Sequence, residues 1–376
     1  MYSNEFELED GLSYLNHAAV APWPKRTANA VAKFAQENTT RGATDYPHWM
    51  QTEQALREKL QWLINAPSVD DIALLKNTSE ALSVVAYGID WQAGENVVFA
   101  QQEFPSNRVV WESLAQFGVE IRRVDIYSSD TPEQALIDAM DSNTRLISTS
   151  SVHYADGLQM QLKELSLACK QHQALFCVDA IQSIGVMPFD VQDINADFVM
   201  ADGHKWMLGP EGLAVFYCRA ALREQLKLSQ YGWHMLADSS DYNSLDWEVS
   251  TTATRFECGS PNMLACYALN SSLSLLQETG MSVVWLSIQD NVNYLRTALK
   301  SIQGLQIHSP EHRPSGILNF SINGVNSREL QQTLMQNNVI CAHRGQGVRF
   351  SPHFYTDQQC LDRAVSLVKE NASRLG

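Results

Sequence analysis

The alternation of apolar and polar positions divides the chain into two patterns. Between residues 72 and 218, short apolar runs alternate with amphipathic stretches. Residues 72–75, 96–100, 120–126, 145–150, 174–179, 198–201 and 212–218 read as strands. Residues 79–87, 106–117 and 162–172 carry helical periodicity, as do residues 48–64 before this block. Apolar strands alternating with helices predict an α/β fold whose mostly parallel sheet is covered on both faces.

After this block the pattern changes. Residues 263–279, 282–299, 327–338 and 356 onward read as helices, and residues 305–309, 316–322 and 339–342 as strands. This ending resembles a compact α+β unit. The expected division is a large domain over 12–275 and a small C-terminal domain over 276–376 together with 1–11. A chain of 376 residues is also longer than one core usually serves. Open sheets of this kind bind ligands beyond the carboxyl ends of their strands. That points to the loops after Leu75, Ala100, His153, Asp179 and Ala201.

Composition narrows the partners. A formal net charge of −15 disfavours nucleic acid and anionic membranes, which require a positive face. No apolar run approaches the roughly 20 residues that span a bilayer. The start MYSNEFELEDGLSYL lacks the basic-then-apolar order of a signal peptide. Seven cysteines without a CxxC pair fit reduced core thiols rather than a disulfide framework or a metal site. The expectation is a cytoplasmic protein that binds small molecules and no metal.

Three segments carry candidate chemistry. In ADGHKWMLGPEG, Lys205 follows an apolar run between glycines, where burial would lower an amine's pKa and permit imine formation. A turn with a solvated lysine is the plainer reading. In LFCVDAIQS, Asp179 ends a strand where its carboxylate can hold a pyridinium proton, and Gln182 follows three residues later. An aspartate there also serves as a helix cap. In LLKNTSEALSVVA, Thr78 and Ser79 open a helix, which suits either a phosphate or an ordinary cap.

Together, in order and spacing, these segments resemble the class V aminotransferase family of pyridoxal-phosphate (PLP) enzymes of fold type I. That family includes cysteine desulfurases, kynureninases and isopenicillin-N-epimerase-like proteins. The resemblance runs from YLNHAAVAP at residue 14 to RFSPHFYTD at residue 357, and VDAIQ followed by ADGHK is its most diagnostic part. It implies pyridoxal 5′-phosphate as cofactor, Lys205 as the Schiff-base lysine and Asp179 as the pyridine-nitrogen partner. It further implies that Gln182 contacts the ring hydroxyl, that Thr78, Ser79 and His204 bind phosphate, and that Phe104 stacks on the ring. His153 falls where relatives place an amide close to the ring hydroxyl and substrate, with a packed histidine as the alternative. Ser260, in CGSPN, resembles a phosphate donor from a neighbouring subunit, implying a homodimer with shared active sites. Arg349 aligns with the arginine that grips a substrate α-carboxylate. Asn16 and His17 lie on the segment entering the substrate side, and Trp233 lies in a loop, YGWH, over the pocket. Arg344 is expected in the same pocket or at the surface. Asp202 stands where desulfurases often carry serine, and no role is assigned to it.

The resemblance to the desulfurases breaks at two points. Their mobile loop bears a cysteine, whereas residues 342–348 read AHRGQGV, and Phe104 replaces a histidine. The expectation is therefore an aminotransferase-like reaction on an amino acid, with cysteine desulfurase unexpected. An epimerase or racemase, or a C–C or C–S lyase, is the alternative within the family. A catalytically inactive PLP-fold binding protein is the alternative from a different class.

Overall fold

The computed structural model describes residues 2 and 4–375. Its centre is a seven-stranded sheet. In spatial order the strands are Ile72–Leu75, Ala214–Cys218, Phe198–Asp202, Leu175–Asp179, Thr144–Ser150, Asn96–Ala100 and Glu120–Val124. Only Ala214–Cys218 runs against the rest. Asn96–Ala100, Phe198–Asp202 and Ala214–Cys218 are buried along their whole length, which is why these stretches show no apolar–polar alternation. Because six strands point the same way, their carboxyl ends share one edge of the sheet.

Helices Tyr46–Ile64 and Lys25–Arg41 pack together on helix Met263–Thr279. The helix Lys25–Arg41 was not legible as such, since it buries only Thr27 and Phe34 of its own residues and offers little apolar stripe. The side chain of Thr27 meets that of Ser272 at 2.7 Å. A buried ion cluster ties the next helix to the sheet. Arg57 donates to Glu257 at 2.7 Å and to the Ile72 carbonyl at 3.0 Å, and also pairs with Glu53. Glu257 in turn accepts from the Leu74 amide at 2.8 Å. Breaking such a buried cluster typically costs about 3–5 kcal/mol because a charge is left uncompensated.

The C-terminal part forms a four-stranded antiparallel sheet in the order Ala342–Arg344, Gly347–Phe350, Leu318–Ile322 and Leu305–Ile307. Helices Met281–Leu299, Ser327–Gln336 and Gln358–Leu375 belong to the same part. The N-terminal segment links the C-terminal part to the large sheet through a separate two-stranded sheet. Ser13–Tyr14 pairs in parallel with Val339–Ile340, and the chain then passes through Asn16, which bridges to Ser351, to reach the edge of the large sheet. No helix among the described residues is long and apolar enough to cross a membrane. All seven cysteines are unpaired thiols.

Candidate active site

A cavity of about 230 Å³ opens at the carboxyl edge of the large sheet. It draws residues from each of the loops after strands Ile72–Leu75, Asn96–Ala100, Thr144–Ser150, Leu175–Asp179 and Phe198–Asp202. The antiparallel pair at Ala214–Cys218 brings Glu211 to the same edge. Thr78, Ser79, Phe104, Asp179, Gln182, His204, Lys205 and Arg349 all line the cavity, although they span most of the chain.

At one end, helix Thr78–Gly88 presents its N-terminus. Asn77 caps it by accepting from the Glu80 amide at 2.9 Å. The first amides of a helix have no partner within it and carry the positive end of its dipole, an arrangement suited to a phosphate. Ser79 donates to Ser106 at 2.8 Å, and Thr78 accepts from the Asp202 amide at 3.2 Å. Asp202 Oδ1 and His204 Nδ1 approach to 2.9 Å, yet both atoms are buried without an aligned hydrogen bond.

In the middle lie the amine and the acid. Lys205 Nζ sits 5.8 Å from the centroid of the Phe104 ring, which meets Tyr154 edge-on at 5.2 Å. Burial pushes the Lys205 amine down to about 8; Asp179 and Asp202 oppose that shift, and Arg349 and Arg344 add to it. Burial pushes Asp179 up to about 7, reinforced by Glu103 and opposed by the Ile181 amide and by Lys205. Gln182 is fixed at both ends of its amide: it donates to the Ala18 carbonyl at 3.0 Å and accepts from Trp206 Nε1 at 2.7 Å. Trp206 is itself wedged in place. A Cβ on Gly185 (φ +92°) would lie 2.5 Å from its carbonyl, and one on Gly316 would lie 2.5 Å from its ring.

At the far end, Arg349 is 1% exposed. Its Nη1 donates to the Tyr154 carbonyl at 2.5 Å, while Nε and Nη2 are buried without a partner. A buried guanidinium with two free N–H groups is a binding element for a carboxylate. Arg344 lines the same cavity from a tight hairpin in which it pairs with Gly347.

The other expected residues do not line this cavity. His153 is buried, with Nε2 unpartnered, between cavity-lining Val152 and Tyr154. His17 lies in the core, bonded to the Ser351 carbonyl at 2.8 Å and the Tyr355 hydroxyl at 2.7 Å, and burial holds it down at about 4. Asn16 is half-buried beside it, and its neighbour Ala18 reaches the cavity instead. Trp233 packs against His234 and Tyr242, and Ser260 is exposed. Sequence reasoning missed Glu103, Ser150, Tyr154 and Trp206. Glu103, Tyr154 and Trp206 adjoin Phe104, His153 and Lys205 in the chain, but a one-dimensional pattern does not show what they touch.

The class-V aminotransferase family model matches residues 13–367. The chain belongs to that family. It is 31% identical over 339 residues to a protein of Methanothermobacter thermautotrophicus named "Probable cysteine desulfurase", covering 88% of this chain and 83% of that one. A cysteine desulfurase of Escherichia coli O7:K1 is 28% identical over 322 residues, covering 83% and 78% of the two chains. Among solved structures, a mutant of C-DES with glycine covalently linked to its PLP cofactor superposes with a TM-score of 0.90. The match covers 96% of this chain and 97% of that one at 19% identity, and so supports the fold.

The residues present fit PLP: a helix N-terminus for its phosphate, a buried carboxylate for its ring nitrogen, an amine of lowered basicity and an unpartnered guanidinium lie around one cavity. This class V protein is a PLP-dependent enzyme. The expectation of an aminotransferase-like reaction, with cysteine desulfurase set aside, is corrected by the curated relatives, which are named cysteine desulfurase or probable cysteine desulfurase. The loop without a cysteine is real, as residues 342–348 close into the hairpin. It was the wrong discriminator. Elimination that releases sulfide draws on the amine, the carboxylate and the cofactor and needs no protein thiol. Only transfer of sulfane sulfur needs a thiolate, which attacks the substrate sulfur as the C–S bond breaks.

Proposed function

We propose that this enzyme cleaves the C–S bond of a cysteine-type amino acid. The observation that carries the reading is the pairing of Lys205 with the two unpartnered Arg349 nitrogens across one small cavity. An α-carboxylate held at Arg349 places the adjacent Cα toward the amine. The names of the curated relatives direct this geometry to sulfur chemistry.

Each residue then has a task. Arg349 binds and orients the carboxylate. Phe104 covers one face of the site and cannot itself carry protons, so proton transfer at Cα falls to Lys205 Nζ. Asp179 holds the ring-nitrogen proton and Gln182, fixed by Trp206, offers its amide to the ring hydroxyl. Thr78, Ser79 and His204 hold the phosphate. Bound PLP supplies the electron sink that lets the bonds at Cα and Cβ break. A second copy of the chain completes the site. The support is that Gly259 and Ser260 are exposed, as are Tyr231, Leu245 and Trp247 in the preceding stretch.

The test is to incubate holoenzyme with L-cysteine, L-cystine and a panel of other amino acids. Sulfide with pyruvate and ammonia, or sulfane sulfur with alanine, supports the proposal. Amino-group transfer or stereochemical inversion with all sulfur retained would sink it. Sedimentation of the holoenzyme as a monomer would remove the shared site.

A further inference from the structure

Glu103 is a carboxylate that the reaction described above does not use. It is 4% exposed, and it sits on the turn between strand Asn96–Ala100 and helix Ser106–Glu112. Burying a charge there is costly unless it is fully hydrogen-bonded. Its oxygens accept from the Ser150 amide at 2.6 Å and from the Ser150 hydroxyl. The turn is closed by its own amide, which donates to the Ala100 carbonyl at 3.2 Å. Ser150 is the register partner of Asp179 in the adjacent parallel strand, and the next amide, that of Ser151, donates to the Asp179 carbonyl at 2.9 Å. Glu103 is therefore bonded to the strand position directly beside the cofactor acid, while its chain neighbour Phe104 covers Lys205.

We propose that Glu103 is a positioning residue: its carboxylate clamps the end of strand Thr144–Ser150, seats Phe104 over the site and sets the charge around Asp179. The inference rests on Asp179 facing the cofactor ring. Its two oxygens each accept a separate donor of Ser150, an arrangement that an amide with one acceptor oxygen cannot reproduce. Glu103 is also among the groups that raise Asp179. The other groups acting on Asp179 and Lys205 are the Ile181 amide, Asp202, Arg344 and Arg349, and Cys177 lies near both acids. Glu103 is the group in this set that both bonds the neighbouring strand and opposes ionisation of Asp179.

The sign follows. Asp179 must be ionised to pair with a protonated ring nitrogen, so cofactor retention falls as pH drops through the Asp179 titration. Removing the negative charge at 103 makes Asp179 more acidic and moves that loss to lower pH. In holoenzyme equilibrated against cofactor-free buffer, Glu103→Gln should shift the acid limb of cofactor retention downward by about one pH unit. Glu103→Asp, which keeps the charge, and Ser150→Ala, which removes one donor only, should leave the limb in place. An unmoved limb in Glu103→Gln, or an equal shift in Ser150→Ala, would overturn the proposal. None of these readouts depends on which amino acid is cleaved, so they fail separately from the C–S proposal.

Discussion

Trp206 donates its indole N–H to Gln182 Oε1 across 2.7 Å, and this bond decides which way the glutamine amide faces. With Oε1 so occupied and Nε2 on the Ala18 carbonyl, the second Nε2 hydrogen remains for the cofactor side. Trp206→Phe keeps the apolar character but leaves a buried acceptor unpaired, at a cost of about 1–3 kcal/mol. Thermal unfolding and cofactor titration should show lower stability and weaker cofactor binding. A variant matching wild type in both would deny Trp206 this role.

Lys205 is expected to carry the cofactor. Borohydride reduction of the holoenzyme followed by peptide mapping should place the pyridoxyl group on Lys205, with none trapped in Lys205→Ala. Because burial pushes the amine down to about 8, its reactive neutral fraction grows as pH rises toward that value. Cofactor capture should accelerate up to about that pH and level off above it. A label on any other lysine refutes the assignment.

Asp179, raised to about 7 by burial, makes a stability prediction of unusual sign for a carboxylate. Its folded-state proton affinity exceeds that of the unfolded chain, so its protonated form favours folding at low pH. That contribution is lost as pH climbs from about 4, the unfolded value, to about 7. Without cofactor, Asp179→Asn should gain stability over wild type across this window, by a few kcal/mol, and hold that gain above it. Denaturant midpoints at several pH values measure it; a gain that shrinks with rising pH contradicts the raised value.

Arg349→Lys should spare the fold better than Arg349→Ala while losing the forked donor geometry. The expected loss in kcat/KM is about 10- to 100-fold, mostly through KM, as suits a contact to the bound carboxylate. Steady-state kinetics against substrates with and without a free carboxylate would check it. An equal loss for both would place Arg349 outside carboxylate binding.

The elements legible in the sequence were those whose burial is written locally. Strand Asn96–Ala100 and helices Leu162–His172 and Met263–Thr279 have the bounds that periodicity predicts. Lys25–Arg41 was missed because its neighbours, not its own composition, hold it in place. The strand Ser13–Tyr14 was missed because two residues carry no period, and its partner at Val339–Ile340 lies at the other end of the chain. Among site residues, Lys205, Asp179 and Thr78 stand in motifs with short-range spacing and were readable. His17 and Asn16 were drawn to the site by their place in a motif, but the chain turns there so that Ala18 and Val20 face the cavity.

The sequence alone determined most of the strands and helices and the loops that meet at the binding edge, because periodic burial and turn chemistry are written within a few residues. The cofactor class came from the resemblance of its motifs to the class V family. Only the tertiary structure decided that Glu103 bonds Ser150, that Trp206 orients Gln182 and that Arg349 keeps two nitrogens free. Such contacts depend on sheet order and register, which join residues distant in the chain, and no local pattern encodes them.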